Sequence, residues 1–93
     1  MIYWEEQSLL DRERIFEFLH DYNPTVAERT DEIIEAKAEA LANQPLMGVK
    51  RDNMRGRLLI IPDVSMIVSY LVDEQDIRIM RVFHQKQNYP SDQ

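Results

Sequence analysis

Apolar and polar positions along the chain change period once, near residue 48, and that change divides the sequence into a helical and a strand-rich part. Before it, "IYW" at Ile2–Trp4 is β-branched and aromatic and predicts a short strand that stops at Glu5-Glu6. Ser8-Leu9-Leu10-Asp11 has the form of a capping box, so a first helix is expected to open at Ser8. Leu9, Phe16 and Leu19, flanked by Ile15, form its apolar stripe, and "DRER" at 11–14 reads as its solvated face. Asn23 then offers an N-cap and Pro24 a first helical position. A second helix runs from there through "EIIEAKAEALAN", with Val26, Ile33, Ile34, Ala38 and Leu41 on one side, until Pro45 and Gly48 end it.

After "PLMG" the period shortens from 3.6 to 2, and three apolar runs follow at 57–62, 66–72 and 77–84. They read as strands. The linkers "DVS" and "DEQD" are short and polar, so consecutive strands are expected to be antiparallel. The order β-α-α-β-β-β predicts a single α+β domain over residues 1–93, with a small antiparallel sheet packed against an N-terminal helical hairpin. Ninety-three residues with 44% hydrophobic and 30% charged content leave no room for a second core.

Charge sharpens the division. Residues 1–46 carry eleven acids against four bases, net −7, and residues 47–93 carry seven bases against six acids, net +1. A chain with a net charge of −6 is repelled from bare nucleic acid at long range, yet can still present a local basic surface from its C-terminal half. No apolar run reaches the roughly 18 residues of a membrane span, and "MIYWEEQ" lacks the basic start of a signal peptide. A cytoplasmic protein with no membrane partner is expected. With no cysteine and only His20 and His84 as imidazole donors, neither a metal site nor another cofactor is predicted.

Candidate chemistry concentrates in "VKRDNMRGR", where Lys50, Arg51, Arg55 and Arg57 surround Gly56, and in the last strand, which carries Arg78, Arg81 and His84. Arg57 opens a strand, and the expectation is that it points across an open sheet face toward Arg78 or Arg81. Strand alternation sets Ile77, Ile79, Arg81 and Phe83 on one side and Arg78, Met80, Val82 and His84 on the other. Arg81 and His84 therefore share a site only if a bulge or the strand end intervenes. The chain then closes on "HQKQNYP", whose polar side chains suit a protein or nucleoprotein partner. No nucleophile–base pair is evident.

In their order and spacing these features resemble the RelE/ParE superfamily of type II toxin–antitoxin toxins, and most closely its ParE branch. "NPTVAERTDEIIEAKAEALANQP" is similar to that family's second helix and its exit. "PLMG" followed by Arg51, Arg57 opening an aliphatic strand, "MIVSYLV", and "IRIMRVFHQKQNYP" as closing strand, valine-x-histidine and polar tail continue the likeness. The resemblance implies a growth-inhibiting toxin of plasmid-stabilisation type, neutralised by a cognate antitoxin with which it forms higher-order assemblies. ParE-like members poison DNA gyrase, and RelE-like members cut messenger RNA on the ribosome with clustered lysines and arginines and a C-terminal tyrosine. Arg57, Arg81 and Tyr89 correspond loosely to that set, but no lysine lies between Lys50 and Lys86 to serve as its base. Gyrase poisoning is the favoured reading, with a metal-independent endoribonuclease or an inactive homologue serving as a binding module as alternatives. No catalytic residue is assigned. Arg57 and Arg81, then Arg51, His84 and Tyr89, are the expected target-binding residues.

Overall fold

A computed structural model describes residues 1–51, 53 and 55–86. Strand β1 (Ile2–Trp4) leads into helices α1 (Glu6–Tyr22) and α2 (Pro24–Glu39), which form the hairpin. A 3-10 turn over Ala40–Ala42 follows, then strands β2 (Val49–Lys50), β3 (Arg57–Ile61), β4 (Met66–Asp73) and β5 (Asp76–His84). Among the described residues these form one sheet in the order β1-β5-β4-β3-β2. The three strands predicted by alternation pair antiparallel, as the short linkers require. The two short strands enlarge the sheet at its edges: β2 pairs antiparallel with β3, and β1 joins β5 in parallel, matching Ile2 with Ile77 and Trp4 with Ile79. The sheet is therefore mixed. The connection between its parallel pair is long: from β1 the chain passes through both helices to β2 at the opposite edge and returns through β3 and β4 to β5.

Asn23 caps α2 as its side chain predicts, its carboxamide oxygen accepting from the backbone N–H groups of Thr25 (3.0 Å) and Val26 (3.3 Å). The start of α1 differs from the capping-box expectation. The helix begins two residues earlier, and Ser8 is buried in its first turn with its hydroxyl donating to the Glu5 carbonyl at 2.6 Å. Glu5 N–H is already committed to Ile79 of β5 (3.0 Å), so the chain turns into the helix directly from the sheet edge. Leu9 and Val26, assigned to apolar stripes by spacing, are exposed. The buried stripe of α1 instead includes Ser8 and Asp11.

Ile34, Ala38 and Leu41 meet Leu59, Ile61, Val68, Tyr70, Ile77, Ile79 and Val82 in the core. One irregularity in the sheet decides which β5 side chains join them. Ser69 pairs with Arg81 and Tyr70 with Ile79, so Met80 is the extra residue of a bulge. The extra residue shifts the alternation, and Val82 follows Ile77 and Ile79 into the core in place of Arg81.

Candidate target-binding site

Two arginines within apolar strands were the leading candidates, and the fold gives them different surroundings. β1 pairs with β5 only as far as Ile79, which leaves the next stretch of β5 without a strand beside it. Asp11 of α1 fills that place. Its carboxylate accepts Val82 N–H (2.9 Å), Arg81 Nε (2.8 Å) and Arg81 Nη2 (3.1 Å), so one side chain satisfies both an edge amide and a guanidinium fork. Asp11 is 6% exposed. Arg81 is thus turned onto the hairpin and does not stand on an open face. A second fork lies farther out, where Arg12 donates to both Asp31 oxygens (2.9 and 2.8 Å) and covers the Trp4 ring at 4.5 Å. The hydrogen bond to Asp31 raises the Arg12 pKa above its ordinary value despite burial. "DRER" is therefore a mixed segment, its first two residues holding the hairpin to the sheet and to itself.

Arg57 sits at the other end of the sheet, opposite Tyr70. Tyr70 is 1% exposed, and its hydroxyl accepts Gly48 N–H (2.8 Å) and donates to the Pro45 carbonyl (2.9 Å). Arg57 Nη1 donates to the Gly48 carbonyl at 2.9 Å and lies 3.5 Å from that of Leu46. Both side chains tie down the 45–48 turn. Burial raises the Tyr70 pKa, with the bond from Gly48 and the Arg57 charge opposing it. Gly48 is required here by close approach, because a Cβ would lie 2.6 Å from the Tyr70 hydroxyl and 2.9 Å from the Leu58 carbonyl.

This corner carries an open recess of about 390 Å³, lined by Lys50, Arg55, Arg57 and Arg78 together with Leu46 and Asp73. Arg78 is joined to Glu5 at 3.0 Å. Lys50 and Arg55 have no carboxylate partner among the described residues, in a chain with six more acids than bases. A recess of this kind attracts an acidic group and leaves Lys50 and Arg55 to meet it.

Of the expected site residues, Arg57 lines this recess together with Arg78, but its guanidinium is turned onto the 45–48 turn and does not point across an open sheet face. Arg51 is exposed next to Lys50 but does not line it. His84 pairs with Met66 at the opposite end of β4, accepts from Lys86 N–H through Nδ1 (3.0 Å), and lines a different groove with Leu19, Arg29 and Ile33. Tyr89 lies outside the described residues. Lys50, Arg55 and Arg78 complete the recess although they were not among the chosen residues; the cluster of cations around Gly56 was the available signal. Among the described residues no group of three or more histidines and carboxylates is placed to hold a metal ion.

A helical hairpin on one face of a small mixed sheet, with a cationic corner, defines a domain of α+β type. Residues 2–89 match the family described as ParE toxin of type II toxin–antitoxin system, parDE, and the chain belongs to that family. Among solved structures it is similar to one described as the chromosomal ParDE TA system from P. aeruginosa, with a TM-score of 0.76 and 19% identity over 89% of this chain and 92% of that one. At that identity the likeness shows the fold. Comparison with curated proteins gives no match. Within the described residues no helix is long and apolar enough to cross a membrane.

Proposed function

We propose that this chain inhibits growth by binding DNA gyrase in the cytoplasm, as the toxin of a plasmid-stabilising pair, and that a cognate antitoxin holds it inactive. The observation that carries the reading is the family match over residues 2–89, nearly the whole chain. The geometry adds support for a binding role over RNA cleavage. Arg81, one of the strand arginines on which a phosphate clamp would draw, is engaged by the buried carboxylate of Asp11. The open cations Lys50 and Arg55 stand at a recess lined by four basic residues against one carboxylate, Asp73, which suits contact with an acidic protein surface. The antitoxin is expected to lay a helix and an extended stretch over the groove beside the sheet and the hairpin, with nanomolar or tighter affinity.

Expression of the chain alone should arrest growth, and co-expression with the antitoxin should restore it. Purified chain should inhibit gyrase supercoiling and leave messenger RNA on programmed ribosomes intact. Cleavage of that RNA with supercoiling unaffected would replace gyrase by the ribosome as the target. Normal growth despite folded protein would point instead to an inactive homologue serving as a binding module.

A further inference from the structure

The outer face of the hairpin carries a groove that neither the sheet nor the basic recess uses. Glu6, Leu9, Leu10, Glu13, Phe16 and Glu17 of α1 line it. Their spacing of three and four residues places them on one side of the helix over about three turns, or roughly 16 Å. Leu9 is 47% exposed, and Leu10 and Phe16 are half-buried, so the floor is apolar and accessible. Arg12 and Asp31 close one wall, and the groove holds about 640 Å³. Among the described residues, the one cation lining it is neutralised internally, since Arg12 is forked onto Asp31. Glu6, Glu13 and Glu17 have no cationic partner among the described residues. An apolar strip edged by three uncompensated carboxylates selects a complementary ligand: an apolar stripe flanked by cations, about three helical turns long.

We infer that this groove docks a basic amphipathic helix of a partner protein. The inference goes beyond the toxin reading and does not rest on it, because the groove lies on the hairpin and the cationic recess at the far corner of the sheet. Charge discriminates among occupants. Nucleic acid and anionic lipid are repelled by the three carboxylates, and a second copy docked through the same face sets carboxylates against carboxylates.

A synthetic amidated 14-residue peptide of leucine and lysine with helical spacing is the probe. It is titrated into the full chain beside a scrambled peptide of the same composition and a leucine–glutamate counterpart. Trp4, the single tryptophan, lies under Arg12 at the groove wall and reports binding by fluorescence, while amide chemical shifts locate it. Saturable binding with shifts confined to residues 6–17 is expected, weakened about tenfold or more by scrambling and by the E13K/E17K double substitution. R55E should leave it unchanged, and the acidic peptide should not bind. Glu13 and Glu17 are exposed, so the double variant is expected to fold, and L9Q provides an uncharged second test of the same floor. Equal binding of ordered and scrambled peptides, indifference to E13K/E17K, or shifts elsewhere on the chain would each overturn the inference. So would sedimentation of the free chain as a dimer that E13K/E17K dissolves, since the occupant would then be a second copy.

Discussion

Arg81 and Arg57 look alike in the sequence, each an arginine in an apolar strand, and the two regions that hold them show how little that description decides. At the seam between α1 and β5 a buried carboxylate receives the guanidinium and the next backbone amide together, so charge and sheet edge are satisfied in one place. At the corner of β2 and β3 the arginine meets, among the described residues, the backbone carbonyls of Gly48 and Leu46, and its charge stays available to whatever enters the recess beside it. The seam uses an ion pair to join elements 70 residues apart in sequence. The corner uses an arginine and a tyrosine to fix a turn, and leaves neighbouring cations in solvent. A charged residue in a strand therefore signals either an internal partner or an external one, and the choice lies in the opposing element.

Removing Asp11 should separate the two regions most strongly. Asp11→Ala leaves Arg81 three-quarters buried without its carboxylate and strands Val82 N–H at the sheet edge. A loss of about 3 kcal/mol is expected, equivalent to a thermal midpoint lower by roughly 10–20 °C. Arg81→Ala should cost a similar amount, and the double variant much less than the sum of the two. Denaturant unfolding of the four proteins measures this coupling. If Arg81→Ala instead abolished growth inhibition with an unchanged midpoint, Arg81 would be a contact residue and the seam only incidental to stability.

The corner offers two smaller tests. Gly48→Ala pushes a methyl group into the Tyr70 hydroxyl and the Leu58 carbonyl and should cost about 2 kcal/mol. Tyr70→Phe removes both hydroxyl bonds, orphans the buried Gly48 N–H, and should cost about 1.5 kcal/mol. Its pH dependence has a definite sign. Burial raises the folded-state pKa of Tyr70, so the neutral phenol favours the fold. That contribution is complete below the unfolded tyrosine value near 10 and is lost as pH rises through the higher folded value. The stability difference between the natural chain and Tyr70→Phe should accordingly be constant from neutral pH to about 9 and shrink above about 10. A difference that stayed flat to pH 11.5 would show that the hydroxyl is not buried as described.

Much of the fold follows from the sequence because it depends on local signals. Asn23-Pro24 fixes the hairpin turn, the change of period at Gly48 marks the passage from helix to sheet, and two short polar linkers fix the antiparallel pairs. The parallel pairing of β1 with β5 was not legible, since three residues carry no partner information across the hairpin. Nor was the bulge at Met80, which moves Val82 into the core and Arg81 out of it. The role of Asp11 was not legible for a related reason. It looked solvated beside Arg12, Glu13 and Arg14, although its spacing from Ser8 and Ile15 places it on the inward stripe of α1. The recess was half legible, as a cluster of cations around Gly56, but its depth and its fourth member, Arg78, depend on the strand order.

The smallest effect on stability, and the sharpest test of the contrast, comes from Lys50 and Arg55. Both are exposed, and neither has a carboxylate partner among the described residues, so Lys50→Ala and Arg55→Ala should each change unfolding free energy by less than about 0.5 kcal/mol. Their expected consequence lies in binding. If the recess meets an acidic surface on the target, losing both cations should weaken inhibition of supercoiling by tenfold or more, and the residual inhibition should be less sensitive to salt, because fewer charge contacts remain to be screened. Arg57→Ala complicates the same measurement, since it also frees the 45–48 turn, and should show a modest stability loss together with weakened inhibition. A double variant at Lys50 and Arg55 that folds like the natural chain and inhibits equally well would remove the recess from the target surface. The hairpin, whose charge is opposite, would then become the face to test, through E13K/E17K in the same supercoiling assay.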